Sequence, residues 1–148
     1  MEINTRDFGP ITVDENDIFE FPEGIYGFEE DSRFALFTRA IDGMPFLYLQ
    51  SIDNIIPCFL VFEPKDFYPG YSPMVSKEDL EDLEVNNIAD LTFLLIANVP
   101  ESIEEMSLNI KSPLILNPKS KTGYQVILQN PDYSVRYRPF LKEGKEDV

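Results

Sequence analysis

LTFLLIANV (91–99) and, seven residues further on, MSLNIKS (106–112) decide the fold. The first is apolar on both faces and rich in β-favouring residues, the signature of a strand running through the middle of a structure. The second alternates: Met106, Leu108 and Ile110 share one face, and Ser107, Asn109 and Lys111 the other, as in a half-buried strand with a wet side. The same grammar recurs outward in DIFEF (17–21), RFALFTR (33–39), MPFLYLQS (44–51), PCFLVFE (57–63), YQVILQ (124–129) and SVRYRP (134–139). Such short runs between Pro, Gly, Asn and Asp punctuation describe an all-β fold, an antiparallel sandwich or barrel in a single domain over 1–148. Asp42-Gly43 between two runs is a hairpin turn, and Lys121-Thr122-Gly123 a second, joining PLILN to YQVILQ.

One segment departs from this pattern. SKEDLEDLEV (76–85) opens on Ser76 with Asp79 three residues later, and Leu80 and Leu83 share a helical face, so a short helix over about 76–85 caps the barrel. The twelve prolines fall mostly at element ends, and KEGKEDV (142–148) reads as a frayed tail.

Charge and composition narrow the function. Twelve basic against 27 acidic side chains leave a net charge of −15, a surface that repels phosphate backbones and anionic lipid headgroups, so neither nucleic acid nor membrane is expected as a direct partner. The imbalance is uneven: residues 1–110 carry 5 basic and 23 acidic groups, whereas 111–148 carry 7 and 4. There is no histidine, which removes the usual general base and the commonest transition-metal ligand. The single cysteine, Cys58 within CFLVF, reads as a core residue, and there is no glycine-rich phosphate cradle. No cofactor and no metal are expected. Carboxylate chemistry is the one catalytic option left, and Glu29-Glu30-Asp31 the one cation candidate, but no calcium-loop rhythm accompanies it. The amino terminus, MEINTRDFGP, lacks the regions of a signal peptide, and no apolar run is long enough to span a membrane, so a reducing cytoplasm is the expected compartment.

Binding is then the expected activity. FPEGIYGFEE (21–30) places Ile25, Tyr26, Phe28 and Glu29 in a loop constrained by Pro22, Gly24 and Gly27, a rigid aromatic anchor of the kind that dominates interfaces. FYPGYSP (67–73) offers a second contact region through Tyr68 and Tyr71.

FPEGIYGFEE, MPFLYLQSID (44–53), CFLVFEP (58–64), NIKSPLILN (109–117) and GYQVILQ (123–129), in this order and spacing, resemble the flagellar assembly factor FliW family over roughly positions 2 to 140. The one departure is Tyr26, where the family's loop usually carries a proline. The resemblance implies a β-barrel-like domain without catalytic activity that binds and antagonises the RNA-binding translational repressor CsrA and also binds flagellin. In that partner switch, flagellin awaiting secretion occupies the protein, frees CsrA and silences its own synthesis. A carboxylate-dependent hydrolase and a generic acidic protein-binding scaffold are the competing readings.

Overall fold

A computed structural model describes residues 1–141; the expected tail at 142–148 lies outside the described residues. Strand β1 (Glu2–Thr5) pairs with β2 (Gly9–Thr12) in a small hairpin. The main sheet contains β3 (Ile18–Glu20), β4 (Arg33–Ile41), β5 (Met44–Ser51), β6 (Cys58–Phe62), β7 (Thr92–Asn98), β8 (Ser107–Leu108), β9 (Leu114–Asn117) and β10 (Thr122–Gln125). Its order is β6-β5-β4-β3-β10-β9-β7-β8, and a further β6–β7 pairing joins the ends. Seven strands therefore form a closed ring, with β8 attached outside to β7. Strands alternating in direction all the way round a ring must be even in number; seven require one parallel pair. That pair is β3 with β10, held by a single register contact, Thr122 opposite Glu20, and by the Glu20 N–H donating to the Lys121 carbonyl at 2.9 Å. Every other pairing is antiparallel, so the all-β barrel expectation holds with one parallel seam.

Alternation builds the interior. Phe21, Phe34, Leu49, Val61, Leu94, Leu114 and Leu116 fill the ring, with Phe19 and Ile25 completing the cluster. Their odd or even neighbours face outward and gather three satellite clusters. The β1–β2 hairpin lays Ile3, Ile11 and Val13 on Ala35 and Phe37. Leu95, Met106, Leu108 and Ile110 pack with the aromatics of the 62–71 segment. Leu83 packs with Ile115, Val126 and Leu128.

That last cluster corrects the placement of the helix. Helix α1 (Lys77–Asp82) has Ser76 as its amino-terminal cap, its hydroxyl accepting from the Asp79 N–H, but it is shorter than 76–85. Leu83 belongs to the cluster outside the ring, and the Asn117 side-chain amide donates to its carbonyl at 2.7 Å, so the helix lies along the outer rim instead of across the barrel mouth.

Strand boundaries follow the sequence pattern closely for β4 to β7. Asp42 and Gly43 form the two-residue β4–β5 turn with positive φ of 52° and 79°. Three expectations change. The β9–β10 turn falls at 118–121, so Thr122 and Gly123 are strand. YQVILQ keeps its alternation, with Val126 and Leu128 buried and Ile127 exposed, but past Gln125 its backbone bonds to Pro113 and Lys111 in loops. SVRYRP is not a strand: it makes one bridge, Tyr137 to Leu108, and Val135 is exposed because Pro131 and Pro139 bracket a segment of turns.

At the seam, position 123 of β10 has no room for a side chain. A Cβ on Gly123 would come within 2.6 Å of the Phe21 ring and 2.7 Å of Leu116. Gly123→Ala is expected to destabilise the protein by about 2 kcal/mol through overpacking, read as a lower midpoint in urea denaturation with an unchanged slope.

Candidate functional site

Strand directions sort the loops to two ends of the barrel. Strand β3 ends at Glu20 opposite the start of β4, β4 starts opposite the end of β5, and β5 ends opposite the start of β6. The 21–32 and 52–57 loops therefore leave from one end. The 63–91 segment, which follows β6 and precedes β7, belongs to the other, so the two contact regions read from the sequence sit at opposite ends.

The 21–32 loop is pinned along its length. Phe21 N–H donates to the Ser32 carbonyl at 2.6 Å and Gly24 N–H to the Phe21 carbonyl at 2.9 Å. Gly24 has φ +69°, and a Cβ there would stand 2.5 Å from the Glu29 Cα, so only glycine lets the loop close on itself. Ile25 is 1% exposed and part of the barrel core. The sequence reading offered it as a contact residue; its side chain points inward, and it anchors the loop. After that anchor the Tyr26 N–H donates to the Gln125 side-chain carbonyl at 2.9 Å, and the Phe28 N–H to the Ile25 carbonyl at 2.7 Å. Tyr26 is left 56% exposed and Phe28 37%, the latter with its ring edge-on to Phe59 at 5.6 Å between centroids. Glu29 is exposed and accepts from the Gly27 N–H at 3.2 Å.

Asp31 ends the loop by turning inward. Its carboxylate accepts from the Ser51 hydroxyl and the Asn54 amide, both at 2.8 Å, which ties this loop to the next. Glu29, Glu30 and Asp31 thus do not converge, and among the described residues no group of three or more acidic or cysteine side chains is placed to hold a metal ion. The tied loop carries Ile55 and Ile56, 55% and 62% exposed. Sequence reasoning missed this pair, although two adjacent β-branched residues before Pro57 in a polar loop were a visible signal.

At the opposite end Tyr68 and Tyr71 belong to a ring cluster: Tyr71 stacks on Tyr133 at 5.1 Å, and Tyr68 meets Tyr137 edge-on at 4.9 Å. The Tyr71 hydroxyl donates to the Ile110 carbonyl at 2.8 Å, and burial pushes its ionisation well above the usual tyrosine range. Both are half-buried and wall an open cavity of about 700 Å³ with Pro64, Ile88, Leu91 and Phe93.

Cys58 is buried, and desolvation pushes its thiol up to about 11 against a small opposing pull from Arg6, so it is protonated at neutral pH.

Residues 2–139 match the FliW protein family. The chain belongs to the FliW family. It is 39% identical over 145 residues to the flagellar assembly factor FliW of Thermoanaerobacter pseudethanolicus, covering 98% of this chain and 96% of that protein. It is 41% identical over the same length to that of Caldanaerobacter subterraneus subsp. tengcongensis, with the same coverage. The crystal structure of the flagellar assembly factor FliW superposes with a TM-score of 0.85 at 31% identity, covering 97% of this chain and 99% of that one. The barrel is therefore the FliW fold. Among the described residues, no helix is long and apolar enough to cross a membrane.

Two outcomes follow from the site geometry. Ile25→Ala is expected to cost about 3 kcal/mol of stability as a cavity in the core, whereas Tyr26→Ala stays within about 0.5 kcal/mol; denaturation midpoints of the two variants, compared side by side, check the inward and outward assignments. The folded Cys58 thiol holds its proton to about 11, whereas an unburied thiol has a value of 9.0. Its burial therefore stabilises fully below pH 9, and that contribution is lost as pH rises from about 9 to 11. Cys58→Ala should shed less stability than the parent over that range in a pH series of urea melts.

Proposed function

We propose that this FliW-family protein is a non-catalytic cytoplasmic regulator of flagellum assembly that binds flagellin and a CsrA-type RNA-binding repressor. The observation that carries the reading is the loop at 21–32: an inward Ile25 and two hydrogen bonds, from the Tyr26 N–H to the Gln125 side chain and from the Phe28 N–H to the Ile25 carbonyl, hold Tyr26 and Phe28 outward beside exposed Glu29 and Glu30. Aromatic side chains fixed in their presented conformation lose little entropy on docking and serve as interface anchors. Exposed Ile55 and Ile56 on the tied loop add apolar area at the same end.

Charge supplies the other half of the mechanism. A repressor that reads RNA presents a basic surface, and a body of net charge −15 docked beside it lowers the local positive potential and repels the phosphate backbone. This needs no contact with the base-reading residues. The carboxylates steer encounter, and the apolar anchors set the lifetime of the complex. Supporting the family role are relatives named as flagellar assembly factors. Supporting the absence of catalysis are the missing histidine and a cysteine kept protonated at neutral pH.

Purified protein used as bait in a lysate of a motile bacterium should recover flagellin and a CsrA-type protein; recovery of neither removes the proposal. With the recombinant repressor, raising salt should slow association strongly and change dissociation little. Replacing both Tyr26 and Phe28 with Ala should raise the dissociation rate roughly 30-fold, the equivalent of about 2 kcal/mol, in a surface-binding measurement on folded protein.

A further inference from the structure

The β4–β5 hairpin continues past the ring as a two-stranded arm. Strand β3 accompanies β4 only from Arg33 to Ala35, and β6 accompanies β5 only from Leu47 to Gln50. Residues 38–45 are exposed, with Ile41 and Met44 paired across the tip. The two-residue Asp42–Gly43 turn makes Ile41 and Met44 a hydrogen-bonded pair, which fixes the parity of both strands. On β4 the odd-numbered residues direct N–H and C=O at β5 and the even-numbered ones direct them away. The Arg33 carbonyl, which accepts from the Ile52 N–H, and the Ser51 N–H, which donates to the Pro57 carbonyl away from β4, obey this parity.

The arm's two free edges differ. In the unpaired part of β5, Met44–Phe46, the one outward position is Pro45, which has no N–H to offer; a proline there blunts the edge. In the unpaired part of β4 the outward positions are Leu36, which is half-buried, and Thr38 and Ala40, both exposed, and none has a strand beside it among the described residues. One edge is closed to pairing and the other is open. Opposite-end residues of the open edge differ in chemistry. Its ring end abuts the turn before β3, where Asp14, Glu15 and Asp17 are exposed, since Ile18 pairs with Ala35 and the chain turns away there. Its tip end carries Ile41 and Met44. The arm itself holds only Arg39 and Asp42 as charges, so in a chain of net charge −15 it adds no repulsion of its own.

We propose that the β4 edge at Thr38–Ile41 is a strand-addition site for an extended segment of a partner protein. The segment runs antiparallel to β4 on the line of β3, an apolar residue at its amino-terminal end beside Ile41 and Met44, basic residues at its carboxy-terminal end against Asp14, Glu15 and Asp17. Main-chain bonds to Thr38 and Ala40 give affinity and the two ends give orientation. The site is distinct from both contact regions described above and does not depend on which protein supplies the segment.

The probe is the synthetic peptide acetyl-Ile-Thr-Val-Thr-Lys-Arg-amide titrated into the full chain labelled with nitrogen-15. Saturable shifts at Thr38 and Ala40, amide exchange there slowed at least tenfold, and at least tenfold weaker binding of the same peptide ending Glu-Glu are expected. Ala40→Pro, which removes an outward N–H the hairpin does not use, should abolish binding. Should that variant not fold, Glu15→Lys, an exposed change, should weaken binding several-fold. Shifts confined to another surface, unchanged affinity in the folded proline variant or in Glu15→Lys, or protection of Thr38 and Ala40 that grows with protein concentration in the absence of peptide (pairing with a second copy) would each overturn the proposal.

Discussion

Closure of the ring through one parallel seam is the constraint on which the rest depends. Seven strands cannot alternate around a circle, and the mismatch falls at β3 and β10, where a single residue pair and one flanking hydrogen bond join the ends. So little main-chain pairing leaves the seam to side-chain packing. Phe21 sits across it, fully buried, in space that exists because position 123 is glycine. Phe21 is also where the 21–32 loop begins. The packing that closes the barrel thereby fixes the root of the loop that presents Tyr26 and Phe28, and Gln125, on the other strand of the seam, accepts the Tyr26 N–H. Fold and candidate site are one piece of packing.

What the sequence made legible follows from this. Strands β4 to β7 are long enough for alternation to declare itself, and their boundaries were readable within a residue or two. Asp42-Gly43 announced its turn because positive φ at two successive positions has few solutions. The failures lie where pairing is decided by distant chain. SVRYRP alternates as a strand should, yet turns on either side of Tyr137 limit its pairing with the 106–112 segment to one bridge, at Leu108, on the edge that β7 leaves open. The β1–β2 hairpin went unread because GPIT offers only one apolar residue to a period-two pattern. The parallel seam has no sequence signature at all: nothing in Ile18–Glu20 or Thr122–Gln125 names the partner.

Of the site residues, those whose exposure depends on loop conformation divided. Ile25 and Phe28 are equally apolar and three apart, but an isolated bridge between them turns the loop so that one enters the barrel and the other lies on Phe59 at its mouth. No local pattern distinguishes the two; the closed contact at Gly24 does, because it forces the chain back on itself between them. Tyr68 and Tyr71 are half-buried. Their burial is shared with Tyr133 and Tyr137, residues more than sixty positions away, and the result is a walled cavity instead of two projecting rings.

The distribution of charge gives these surfaces different physical characters. A carboxylate-rich body attracts any basic partner from a distance, but long-range attraction does not choose between patches a few ångströms apart. Choice requires short-range features, and the molecule concentrates them: outward aromatics and isoleucines at one end, a tyrosine-walled cavity at the other, an arm with one edge open and one closed by Pro45. Proline placed on one edge of a projecting ribbon is itself informative. An unprotected ribbon invites pairing on both sides, and blunting one side while leaving Thr38 and Ala40 free directs any pairing to a single line, next to the acids that precede β3. Steering by net charge and selection by local geometry are then carried by different residues, so each can change in sequence without disturbing the barrel that holds them.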